Sequence, residues 1–139
     1  FRTADASGCR KIYLCGITPG PQNKFHRPNQ ALLKVALDAE KFIEWEHVQS
    51  TVELLNRLRA DNYQIIAVEQ DDKSQTLYHA EIEPHKNYAI VLGNEISGLS
   101  QDVLRLADQI IQIPMCGKKE SLNVAVAFGI VVFQLIRLS

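Results

Sequence analysis

The sequence predicts an α/β domain: a parallel sheet with helices on both faces. Two features of the sequence point there. Short runs such as KIYLCGI, YQIIAVE, YAIVL and QIIQI are apolar at consecutive positions, the signature of strands buried on both sides. Segments of helical spacing separate them, and parallel neighbours need such crossovers.

In chain order, Lys11 to Ile17 is the first strand, ended by the turn residues Thr18, Pro19, Gly20 and Pro21. Pro28 to Ala39 carries Leu32, Leu33, Val35, Ala36 and Leu37 on an amphipathic helix pattern. Phe42 to Val48 is a short strand, and Ser50 caps a helix through Leu58 with Val52, Leu55 and Leu58 on one stripe. Tyr63 to Glu69 and Tyr88 to Leu92 are strands. Ser100 starts a helix through Ala107, with Asp102 in the first turn where the helix dipole favours an acid. Gln109 to Ile113 is the last strand. Ser121 then begins a final helix that is greasy on every side as far as Ile136.

The totals set bounds on function. A chain of 139 residues, 46% apolar and 22% charged, is expected to form one domain around one core. With a net charge of −1 there is no general basic field, so any polyanion site must be a local patch or be built by pairing subunits. The three cysteines, Cys9, Cys15 and Cys116, have no C-x-x-C spacing and suit a reduced, cytoplasmic setting. His26, His47, His79 and His85 are scattered without ligand spacing, so no metal is expected. Val124 to Ile136 is shorter than the roughly 20 residues that span a bilayer, so no membrane partner is expected. The chain opens on Phe1 without a methionine and is read as lacking its extreme N-terminus.

Three stretches carry chemistry. In VLGNEISGLS (91–100) a strand ends at Leu92 and turns at Gly93, where ligands of open α/β sheets sit. Its bland alternative is a plain strand–turn–helix connection with Glu95 in solvent. In IPMCGKKESLNVAVA (113–127), Ile113 and Met115 could line a slot for a purine ring. Ser121 could cap the helix or face a substrate. Asn123, one turn into an apolar helix, needs partners if buried, and is either a satisfied core amide or part of a site. FRTADASG (1–8) is too short to interpret alone.

In that order and spacing, FRTADASG, IVLGNEISGLS and IPMCGKKESLNVAVA resemble the three motifs of the SpoU (TrmH) branch of the SPOUT RNA methyltransferases. The resemblance runs through essentially the whole chain. It implies an S-adenosylmethionine-dependent enzyme that methylates a ribose 2′-hydroxyl in tRNA or rRNA. A C-terminal trefoil knot and a homodimer formed through the last helix are implied with it; nothing in the periodicity suggests a knot. By the same resemblance Arg2, Glu95, Ser121 and Asn123 are the catalytic set. Gly93, Ile113 and Leu122 hold the cofactor largely through backbone, with Leu92 and Met115 lining the slot. The family carries an asparagine a few residues before the motif-one arginine, which this sequence begins too late to show, and Ala125 stands where many relatives have a second serine.

A guanidinium stays protonated at ordinary pH, so Arg2 is expected to grip a phosphate and stabilise oxyanion charge rather than act as a base. Ser121 and Asn123 would orient the ribose, and Glu95 would hold its loop. Lys11, Lys24, Arg27, Lys118 and Lys119 are candidate phosphate contacts or simply solvated. One alternative is a catalytically silent RNA-binding module on the same fold. A flavodoxin-like nucleotide binder is the other, though the prolines of GITPGPQ remove N–H groups that a phosphate loop needs.

Overall fold

The computed structural model describes residues 1–23 and 25–138. It divides into two compact units, Phe1–Thr51 and Val52–Ser139. The first holds helix α1 (Arg2–Ala6), strand β1 (Lys11–Cys15), helix α2 (Gln30–Ala36) and strand β2 (Glu44–Val48). From there the chain continues through α3 (Thr51–Ala60), β3 (Tyr63–Val68), the two-residue β4 (Gln75–Thr76), β5 (Asn87–Leu92), α4 (Gln101–Leu104), β6 (Gln109–Gln112) and α5 (Val124–Leu138). Every strand pair is parallel, as expected for an α/β chain, but the strands form two sheets rather than one: β1 with β2, and β4-β6-β3-β5.

Local chemistry sets the boundaries in the first unit. β1 stops at Cys15, short of the expected Ile17, because Gly16 takes a left-handed φ of 58° and its N–H turns to Val48 O at 2.9 Å. α2 begins only after Asn29, whose side chain accepts from Leu32 N–H at 3.3 Å, and ends where Leu37 goes left-handed. A 3-10 turn, Ala39–Lys41, delays β2 to Glu44. Lys11 is not a free phosphate contact. Its ammonium sits 2.6 Å from Glu44 and 3.0 Å from Glu46, and hydrogen bonds to these two carboxylates, Glu44 first, raise its pKa. Arg27 is exposed, and Lys24 lies outside the described residues.

The second unit is organised by β3, which lies between β5 and β6. Ile65, Ile66 and Ala67 are consecutive and 0% exposed. Successive strand residues face opposite sides, so both faces of β3 are covered. One face meets a core of Ile66, Leu77, Ala80, Ile111, Val131 and Leu135, in which Val131 and Leu135 are a helical i, i+4 pair on α5. α4 is capped by Ser100, whose hydroxyl accepts from Val103 N–H, and it ends at Leu104 rather than at Ala107. α5 starts at Val124, not at Ser121.

Replacing the central Ile66 by Ala should cost about 2–5 kcal/mol of unfolding free energy in urea titrations. A loss smaller than about 1 kcal/mol would mean that the core collapses around the site or lies elsewhere.

Candidate functional site

The carboxyl ends of β3, β5 and β6 lie at one edge of the parallel sheet, where open α/β sheets bind ligands. A cleft of about 100 Å³ opens there. Glu69 and Gln70 follow β3 into it, Gly93 and Asn94 follow β5, and Ile113 and Met115 follow β6. Ser121, Leu122 and Val124 close the side next to α5. All five residues expected to hold a cofactor (Leu92, Gly93, Ile113, Met115 and Leu122) therefore line one cleft, together with Ser121.

The turn after β5 depends on Gly93. A Cβ built there would lie 2.5 Å from the Gly98 carbonyl carbon and 2.7 Å from the Leu99 nitrogen. No side chain fits in that space. Asn94 shapes the tip: its side-chain oxygen accepts from Ile96 N–H at 2.9 Å and Ser97 N–H at 3.2 Å. Its backbone carbonyl accepts from Gly98 N–H at 2.8 Å. Gly98 is left-handed, with φ 62°.

The start of α5 corrects two expectations. Asn123 is not a buried amide within the helix. It is exposed and forms the cap, its side-chain oxygen accepting from Ala125 N–H at 3.0 Å. Ser121 does not begin the helix; it is an exposed residue of the cleft wall. Glu95, far from being merely solvated, accepts from Val124 N–H at 3.3 Å. A carboxylate at the positive end of a helix satisfies an orphan amide and the helix dipole together.

Arg2 opens α1 in the first unit and is exposed. Lys118 and Lys119 are exposed in the loop before Ser121. Among the described residues that line the cleft, the charged side chains are Glu69 and Glu120. Glu69, expected as the last residue of the strand Tyr63 to Glu69, lies one residue beyond it, and the signal for its role is a carboxylate closing the apolar run Ile65 to Val68. No group of three or more potential metal-ligating side chains occurs among the described residues. Nor is any described helix long and apolar enough to cross a membrane.

Gly93→Ala should therefore force backbone apart, at a cost of about 1–3 kcal/mol in thermal or chemical unfolding. Gly117→Ala, where a Cβ would meet nothing within 4 Å, should be nearly silent. Equal stability of the two variants would contradict the close approach at Gly93.

The SpoU rRNA methylase family model matches residues 1–133. A tRNA (guanosine(18)-2′-O)-methyltransferase of Borreliella burgdorferi is 34% identical over 102 residues, covering 73% of this chain and 46% of its own. A 23S rRNA (guanosine-2′-O-)-methyltransferase of Ralstonia nicotianae is 29% identical over 137 residues, covering 99% and 51%. The AdoMet-bound rRNA methyltransferase of Sinorhizobium meliloti superposes with a TM-score of 0.86 at 28% identity, covering 98% of this chain and 49% of that one. The chain thus spans about half the length of these relatives.

Proposed function

The chain belongs to the SpoU rRNA methylase family, and from that premise we propose that it transfers a methyl group from S-adenosylmethionine to a ribose 2′-hydroxyl of tRNA or rRNA. The observation that carries this reading is the cleft, around which three distant stretches of the second unit converge.

Its lining fits that cofactor. Leu92, Ile113, Met115 and Leu122 offer apolar walls for a purine. Gly93 contributes backbone alone to the lining. Glu120 adds a negative charge to the lining, which suits a cationic sulfonium. When bound, the cofactor supplies a methyl group on positively charged sulfur, activated without help from the protein.

What remains for the chain is alignment and charge. Ser121, on the cleft wall, orients the ribose. Asn123 and Glu95 fix the helix start beside it, so their contribution is to hold Ser121 and Leu122 in place. Arg2 grips the phosphate next to the target ribose and stabilises charge developing on the 2′-oxygen. Lys118 and Lys119 are exposed and free to follow the RNA backbone.

The same reading includes a homodimer. Val126, Ile130, Phe133 and Ile136 on α5 are between 42% and 52% exposed and lie on one side of the helix. A second copy of α5 under two-fold symmetry would cover them. It also includes the C-terminal trefoil knot, supported by the late strand β6 lying between β3 and β4. An experimental chain trace that pulls straight from both ends would remove the knot. Three free cysteines support a cytoplasmic site of action.

The deciding assay is calorimetry of this chain with S-adenosylmethionine, followed by labelled methyl transfer to tRNA and rRNA transcripts. Micromolar binding and a ribose-methylated nucleotide are expected. Binding without transfer to any RNA would favour the silent module. Arg2→Ala should lower turnover by about 100-fold or more while leaving cofactor binding intact; if Arg2→Lys kept most of the turnover, the bidentate grip would be wrong. Sedimentation at micromolar concentration should give twice the chain mass, and Phe133→Glu should halve it. A monomeric wild-type chain would defeat the interface.

A further inference from the structure

We infer that Glu69 is a positioning residue for the cofactor cleft: its carboxylate pins the returning limb of the 93–99 loop. The inference rests on the reading above, that the cleft takes S-adenosylmethionine.

Glu69 stands one residue beyond β3, and its own N–H donates to Ile111 O at 3.0 Å, so its backbone is fixed to β6. Oε2 accepts from Leu99 N–H at 2.7 Å, while Oε1 accepts from Gln70 N–H at 3.0 Å. Gly98 makes room for this arrangement, since a Cβ at its left-handed position would overlap the Glu69 carboxylate. The Gly98–Leu99 backbone held in this way is the surface against which Gly93 lies, and Gly93 lines the cleft. A path of direct contacts therefore runs from the carboxylate through Leu99 and Gly98 to the cleft.

Asn94 already ties the tip of the loop, so Glu69 supplies a second pin at the opposite end. Bonds from amides to an ionised carboxylate are roughly twice as strong as neutral ones. Removing the acceptor would leave a part-buried N–H without its partner, the costlier half of a lost hydrogen bond. Both carboxylate oxygens are engaged by backbone amides, so Glu69 acts through the loop and not on the reacting atoms.

The test compares the chain with its Glu69→Ala, Glu69→Gln and Gly98→Ala variants, by titration calorimetry with S-adenosylmethionine alongside thermal melting. Glu69→Ala should weaken cofactor binding about tenfold or more, and Glu69→Gln, which keeps one acceptor oxygen at the same reach but loses the charge and the second acceptor, should fall between Glu69→Ala and the wild type. Gly98→Ala should also weaken binding. The double variant should be little worse than the poorer single one, because both changes break the same contact. If Glu69→Ala lowers the melting temperature while the folded protein binds cofactor as before, the residue is merely structural and the inference fails. A wild-type chain that binds no S-adenosylmethionine would overturn the functional reading instead. Amide hydrogen exchange then decides the pin by itself: protection at Leu99 should be lost in Glu69→Ala, and unchanged protection would refute it.

Discussion

The missing side chain at Gly93 is the constraint on which the site depends. With no Cβ, the exit of β5 lies directly against the Gly98–Leu99 backbone. The short loop between can then close on itself, tied by Asn94. Closure directs Glu95 toward the first amide of α5, 29 residues on in sequence. That bond and the Asn123 cap together satisfy a helix start that would otherwise present unpaired N–H groups. One atom that is absent therefore positions a strand exit, an acidic side chain and a helix.

A cleft made this way is mostly backbone and apolar surface. β3, β5 and β6 deliver their carboxyl ends to one edge because they are parallel and in register, with Val68 level with Leu92 and with Ile111. The core beneath them, Ile66 and Ile111 against Val131 and Leu135, holds the strand ends and the helix in one packed body. Few chemically distinctive side chains are then needed at the surface. A cofactor that arrives already activated asks mainly for fixed geometry, and geometry is what strand ends and a closed loop provide.

This division also explains what could be read in the sequence. The strands of the second unit were legible because burial on both faces leaves consecutive apolar residues, as in Ile65, Ile66 and Ala67. The lining residues Leu92, Gly93, Ile113, Met115 and Leu122 were legible from the family's motifs. The start of α5 was not. Ser121 and Asn123 are both good capping types, and the choice between them falls to Glu95, which becomes a neighbour only in the fold. Glu69 escaped for the same reason, its partner Leu99 being 30 residues away. α1, five residues long, and β4, only two, are too short to leave a periodicity.

α5 joins these features in one element. Its inner side supplies Val131 and Leu135 to the core, its first amide answers Glu95, and its outer side presents Val126, Ile130 and Phe133. A 15-residue helix tied at its start and packed along one side moves largely as a unit. A partner that presses on the outer stripe therefore acts on the same body that carries Val124 and Ala127 into the cleft wall. Covering that stripe also removes water from beside the helical hydrogen bonds, which raises the cost of fraying at the capped end. A substitution on the outer stripe therefore bears on the cleft wall as well, because both belong to one packed helix.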